Sequence, residues 1–307
     1  MVRLVSLDCG GFDSDMVVRM IYDRKTGELV LEKTFEDRKM RFLYGTTLGG
    51  LCLFFLRLPL VSRVYGFFQK TGRSQKKIQK LISDYQIETE GLDSDGQGGT
   101  YESFNAFIAR KTEHHFDPTP NNLISTAESC VLVSTIHNGL LFSIKGKSYT
   151  LADFLKDEAL ASVFEGGTCL IFRLRAYDYH RFCFVDDGTI LSHKRIRGFL
   201  DSINTQATGR FTLSSNYREI TLVDTKHFGE IIHVEVGAML VGRIVTTHSE
   251  KSFRKGDEKG FFEFGGSTIV LLIKEGVVTI DKDILAHSAQ GVETKVSLGE
   301  KIGIRCA

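Results

Sequence analysis

Beyond Pro118 and Pro120 the sequence breaks into short apolar or alternating runs separated by Gly, Asn and Asp. This punctuation constrains the fold more than any other feature. The runs cover 131–136, 140–144, 169–174, 218–223, 231–236, 269–273 and 277–280. Each has the length of a strand and is too short for an ordinary helix. One helical segment interrupts them. It opens at Thr150 with Asp153 three residues on, presents Leu151, Phe154, Leu155, Leu160 and Phe164 on one side, and ends at Gly166-Gly167. No repeat of fixed period is visible, and the prediction is a β-rich core over 116–307.

The chain before that core reads differently. A turn at Asp23-Arg24-Lys25-Thr26-Gly27 between the apolar stretches 17–22 and 29–31 predicts a hairpin. From Ser74, a good N-cap, Ile78, Leu81, Ile82 and Tyr85 recur at helical spacing with Lys76, Lys77 and Lys80 on the other side. Residues 91–100 read as a loop, after which Ser103 caps a short helix carrying Phe104, Phe107 and Ile108. The most apolar region, 48–68, is broken by Arg57 and Pro59 before it reaches the roughly 20 residues a membrane span needs. It fits either a buried helix pair or a monotopic helix lying in a membrane interface with Arg57, Arg63 and Lys70 at the headgroups. The fold class is α+β, with a helical N-terminal third over 20–115 packed on the β-rich core.

Charge and cysteine usage narrow the function classes. Lysine plus arginine (39) balances aspartate plus glutamate (38), so bulk charge does not select nucleic acid as a partner. The six cysteines form no Cys-x-x-Cys pair and have no zinc-type spacing with histidine, and they read as reduced thiols with no metal to hold. Asp8, Asp13 and Asp15 interrupt the N-terminus before a signal-peptide core can form.

The chemistry-bearing segment is Phe261-Phe262-Glu263-Phe264-Gly265-Gly266-Ser267-Thr268, followed by a strongly β-forming run. Gly-Gly-Ser is a common turn. It is also what self-cleavage requires: a serine nucleophile next to a residue with no Cβ, on backbone that tolerates unusual dihedrals. The residues alone leave both readings open.

Several ordered segments resemble the phosphatidylserine decarboxylase family, especially its forms in anaerobic Gram-positive bacteria. Gly265-Gly266-Ser267-Thr268 resembles the family's processing site, and Asp178-Tyr179-His180-Arg181 its Asp-Tyr-His-Arg segment. Phe104-Asn105-x-Phe107-x-x-Arg110-Lys111 is similar to its Phe-Phe-x-Arg segment. Phe42 to Thr46, Ile144 to Tyr149, Phe228-Gly229 through Ala238, and Lys255 to Gly260 agree further. The likeness begins near Met20, so residues 1–19 are expected to be a non-native extension.

The resemblance implies a carboxy-lyase made as a zymogen. Cleavage at Gly266-Ser267 would yield a β chain (1–266) and an α chain (267–307) that stay together, with Ser267 converted to a pyruvoyl group. That group would form a Schiff base with phosphatidylserine and release phosphatidylethanolamine and carbon dioxide, without pyridoxal phosphate or metal. His180 is the candidate proton donor and base, Asp178 its orienting partner, and Arg181 the candidate for the lipid phosphate. Gly265 and Thr268 support the junction. The implied setting is the cytoplasmic face of an anionic phospholipid membrane, peripheral or monotopic, with homodimer formation left open.

Two departures stand out. The family's Ser-Pro-x-Asp is here Ser125-Thr126-Ala127-Glu128, so Glu128 is the candidate carboxylate, one methylene longer. The position of a second family histidine is Cys183, and another supplementary histidine is missing near Asp201 to Asn204, leaving His193 as the nearest remaining candidate. Two alternatives therefore stay open: a pyruvoyl decarboxylase of a soluble aromatic amino acid, and an unprocessed, non-catalytic lipid-binding homologue.

Overall fold

The computed structural model describes residues 20–32, 42–43, 45–56, 58–85, 87, 101–137, 140–144, 147–200, 214–238, 243–263 and 267–306. The expected extension 1–19, along with Arg57, 91–100, 201–204, Gly265 and Gly266, lies outside these residues. The strands in chain order are β1 (Met20–Asp23), β2 (Glu28–Leu31), β3 (Asn122–Ile124), β4 (Ser129–Thr135), β5 (Leu140–Ile144), β6 (Lys147–Thr150), β7 (Thr168–Leu174), β8 (Arg181–Cys183) and β9 (Gly188–Ile196). They continue with β10 (Arg218–Thr225), β11 (Gly229–Val236), β12 (Arg243–Thr246), β13 (Ser252–Phe253), β14 (Glu258–Glu263), β15 (Ser267–Ile273), β16 (Val278–Ile280), β17 (Glu293–Val296) and β18 (Lys301–Arg305). The helices are α1 (Thr47–Leu56), α2 (Pro59–Gln69), α3 (Lys76–Tyr85), α4 (Phe104–Ile108), α5 (Leu151–Leu155), α6 (Glu158–Val163) and α7 (Lys282–Ala289).

Ten strands form one sheet in the order β13-β9-β10-β11-β15-β7-β4-β17-β1-β2. Neighbours run antiparallel except β1 and β17, which are parallel. β15 lies near its middle and is buried at every residue, which is why its sequence is almost continuously apolar instead of alternating. Val270 and Leu272 point toward Leu151, Phe154, Leu155 and Phe164 of the α5–α6 segment. Ile269 and Leu271 point the other way, into a core shared with Phe182 and Phe262 of a three-stranded sheet, β12-β14-β8. Burying each such side chain contributes about 1.5–3 kcal/mol, so both faces of β15 are strongly specified.

The helical segment has a small core of Ile78, Leu81, Tyr101, Phe107 and Ile108. It meets the β structure at defined points. Tyr85 stacks on Tyr177 with ring centroids 4.3 Å apart, and Lys70 at the end of α2 donates to Glu263 at 2.8 Å.

Several expectations need correction. The predicted hairpin exists as β1–β2, but β1 pairs with β17, and Arg173 of β7 holds both Glu32 and Glu293, so residues 20–32 belong to the core sheet and not to the helical region. Ser74 does not cap α3; it sits in a 3-10 turn, Gly72–Gln75, where its hydroxyl donates to Gln69 or Thr71 and accepts from the Phe104 amide. Ser103 does cap α4, accepting from Ala106 N. The helix from Thr150 is two helices, because Lys156 adopts a left-handed φ of 51° and Asp157 caps a new start at Leu160 N. β9 was not anticipated: its residues are mostly exposed, so no apolar alternation marks it. The buried-pair reading of 48–68 also fails, since Leu48, Leu51, Phe54, Phe55, Phe67 and Phe68 all lie exposed.

Candidate active site

Ser267 is the first residue of β15 and pairs with Leu174, the last residue of β7. Strand alternation puts it on the side of Ile269 and Leu271, facing the three-stranded sheet, while Thr268 faces the other layer. Ser267 is fully buried and its Oγ meets no hydrogen-bond partner among the described residues. A buried hydroxyl left unpaired costs stability.

The chain leaving Leu174 folds into a tight turn. Asp178 accepts from the Arg175 amide at 2.7 Å and from Arg175 Nε and Nη2 at 3.0 and 2.7 Å. With its carboxylate so engaged, Asp178 orients His180 through its backbone: His180 Nδ1 donates to the Asp178 carbonyl at 2.7 Å. A carbonyl oxygen only accepts, so the neutral ring carries its proton on Nδ1 and its basic lone pair on Nε2. Burial pushes the imidazole down to about 4, against the opposing pull of Asp178, so His180 is neutral near pH 7. The His180 carbonyl accepts from Phe262 N at 3.0 Å, which ties the turn to the strand leading into the junction.

Glu128 immediately precedes β4, in which Cys130 pairs with Arg173, one residue before Leu174. Glu128, the Asp178–His180 turn and Ser267 therefore gather at one end of three adjacent strands. Burial, then the charge of Asp178, pushes the Glu128 carboxyl up to about 7, although Arg110, Arg175 and Lys295 act in the other direction.

Arg181 does not fit its expected phosphate role. Its Nη1 is bidentate to Glu258 at 2.8 and 2.7 Å, and its Nε and Nη2 donate to the carbonyls of Ala109 and Arg110. Every arm of the fork is used in holding α4 to β8 and β14. His193 is also displaced from the site: it lies on β9, three strands from β15, beside Thr221 and Glu219.

Sequence reasoning missed a buried polar cluster on the Ser267 side of the sheet. His233 and Glu235 on β11, Lys259 on β14 and Thr126 form it. Lys259 donates to Glu235, and His233 Nδ1 approaches Glu235 Oε1 at 2.7 Å, out of line for a good hydrogen bond. Thr126 donates to the carbonyl of Cys183 at 2.6 Å and accepts from His233 Nε2 at 2.9 Å. Through Thr126, His233 is thus linked to the Cys183 backbone from another strand. Alternation within 231–236 could have put His233 and Glu235 on one face, but not said which face.

The family model described as phosphatidylserine decarboxylase matches residues 104–304. The chain belongs to the phosphatidylserine decarboxylase family. It is 42% identical over 288 residues to phosphatidylserine decarboxylase proenzyme 2 of Clostridium acetobutylicum, covering 92% of this chain and 97% of that protein. It is 38% identical over 295 residues to the phosphatidylserine decarboxylase proenzyme of Clostridium perfringens and 35% identical over 292 residues to that of Clostridium botulinum. Each covers 92% of this chain and 98% of the relative. The stretch matching the phosphatidylserine decarboxylase model takes in Glu128, Asp178, His180, Arg181 and Ser267.

Proposed function

We propose that this chain is a phosphatidylserine decarboxylase precursor that cuts itself between Gly266 and Ser267 and then converts phosphatidylserine to phosphatidylethanolamine. The observation that carries the reading is a fully buried Ser267 Oγ, without a hydrogen-bond partner among the described residues, at the head of a central strand on the face toward the His180 turn.

In self-cleavage Ser267 Oγ attacks the Gly266 carbonyl carbon while its proton passes to His180 Nε2. The C–N bond breaks and the acyl group moves to oxygen. Removal of the Ser267 α-proton expels the Gly266 carboxylate and leaves dehydroalanine, and addition of water with loss of ammonia completes the pyruvoyl group. That group supplies a ketone that captures the substrate amine and an electron sink as carbon dioxide departs. His180 returns a proton to the substrate α-carbon, and Glu128 stabilises the imidazolium formed whenever His180 holds a second proton.

Intact-mass spectrometry tests this reading. The purified chain should yield a fragment beginning at residue 267 with a blocked, pyruvoyl N-terminus; a lone 34.4 kDa mass that persists on incubation would sink it. Because Glu128 loses its proton near pH 7 and His180 is neutral above about 4, cleavage should speed up about tenfold per pH unit below ~7 and level off above it. A flat profile across that range would remove Glu128 from the mechanism.

The substrate is a diacyl lipid, and we assign the exposed apolar faces of α1 and α2 to a membrane surface on the cytoplasmic side. No described helix is long and apolar enough to cross a bilayer. Phe67 and Phe68 are 69% and 59% exposed, and Arg73, Lys76 and Lys80 follow them. Such a pattern suits anionic headgroups. Replacing both residues, Phe67→Asp with Phe68→Asp, should weaken binding to anionic vesicles on the order of a hundredfold, read by cosedimentation, and leave the melting temperature in place. Unchanged partitioning would assign the surface elsewhere.

A further inference from the structure

Arg110 follows α4 at the seam between the helical segment and the core, and it is only 8% exposed. Its Nη1 donates to the Phe107 carbonyl at 3.1 Å, whereas its Nε has no acceptor, and no carboxylate of the described residues forms an ion pair with it. The guanidinium carbon lies 4.7 Å from the Phe107 ring centroid and 5.8 Å from that of Tyr179, which fixes its plane. Its own carbonyl accepts from Arg181 Nε at 3.0 Å, so the backbone here is pinned to the segment that carries His180. The charge of Arg110 is felt at both Glu128 and His180.

A buried guanidinium held by one carbonyl is an incomplete site, since such a cation is normally paired. The neighbouring arginines are committed elsewhere, Arg181 to Glu258 and Arg175 to Asp178. We infer that Arg110 binds the phosphodiester of the substrate headgroup, using the planar fork that suits phosphate oxygens. The inference rests on the decarboxylase reading of Ser267.

Position and chemistry both favour the phosphodiester over the substrate carboxylate. In a serine phospholipid the phosphodiester stands between the amine, which must reach residue 267, and the acyl chains, which stay with α1 and α2. Arg110 occupies the intervening seam, with α4 packed against α2 and α3 on one side and the His180 turn on the other. A cation on the carboxylate would hold it in its charged ground state and slow its loss. A cation on the non-reacting phosphodiester strengthens substrate and transition-state binding alike, so its removal should raise KM and spare kcat.

Inorganic phosphate is the first probe, titrated by calorimetry into the full-length Ser267→Ala precursor, which keeps Arg110 but cannot react. Adding Arg110→Gln should weaken phosphate binding at least about tenfold, with Arg110→Lys intermediate because it keeps the charge and loses the fork. Equal affinity in all three overturns the inference. In the self-processed enzyme, assayed well above pH 7 so that Glu128 is ionised with or without Arg110, Arg110→Gln should raise KM for phosphatidylserine in mixed micelles about ten- to a hundredfold with kcat within about twofold. A fall in kcat at unchanged KM also overturns it. Should Arg110→Gln fail to fold, the lysine variant carries both measurements. The phosphate titration does not depend on self-cleavage: if the wild-type chain never yields a fragment from residue 267 while phosphate binding still requires Arg110, the decarboxylase reading falls and the anion site stands.

Discussion

The Ser267→Ala protein is expected to persist as a single 34.4 kDa chain through prolonged incubation, with no fragment beginning at or near residue 267. The effect should be close to total, because the hydroxyl is the only group whose attack can move the Gly266 acyl group from nitrogen to oxygen. Loss of an activated serine nucleophile typically costs on the order of a millionfold in rate. Thr268 cannot take over, since alternation turns its side chain to the opposite face of β15, toward the layer of Val270 and Leu272. The fold should survive. Ser267 Oγ has no hydrogen-bond partner among the described residues, so deleting it removes an unsatisfied polar atom and should leave the melting temperature unchanged or slightly raised. Cleavage that continued in this variant would show that Ser267 is not the nucleophile; a large drop in melting temperature would show that its hydroxyl is structural.

Lys259→Met should produce the largest change in stability. Lys259 and Glu235 are each about 2% exposed or less, and the lysine is the principal counter-charge of that carboxylate. Burial alone would raise the Glu235 carboxyl; the charges of Lys259 and His233 outweigh it and hold the group down to about 2. Removing Lys259 leaves a buried carboxylate facing only His233, a change worth about 3–5 kcal/mol in comparable buried pairs. Changing both residues, Lys259→Met with Glu235→Met, should recover most of the loss, because no charge is then stranded. Urea denaturation of the three variants measures this. A carboxyl depressed in the folded state contributes stability above its ordinary value near 4.5, and that contribution disappears as pH falls toward 2. The wild-type advantage over Lys259→Met should therefore be full at neutral pH and fade between about pH 5 and 2. A single-variant loss below about 1 kcal/mol would mean that the pair does not hold the β11–β14 contact.

What the sequence determined by itself was local. Short apolar runs announced β4, β7, β10, β11 and β15, because a strand buried on one or both faces needs those side chains whatever its neighbours are. Ser103 announced α4, because a cap acts within three residues. Gly-Gly-Ser ahead of a β run and the Asp178-to-Arg181 segment carried the family resemblance, since each is contiguous in the chain. The tertiary structure decided everything that depends on which segments meet. It committed Arg181 to Glu258, 77 residues away, and left Arg110 Nε without an acceptor among the described residues. It joined His233 to Thr126 across 107 residues, whereas the sequence offered His193 as the nearest supplementary histidine. It turned the apolar side chains of α1 and α2 outward, a choice that periodicity could not make because both packings use the same pattern. Ser267 belongs to both levels: its neighbours in the chain identify it, and only the pairing of β15 with β7 buries its hydroxyl on the face toward the His180 turn.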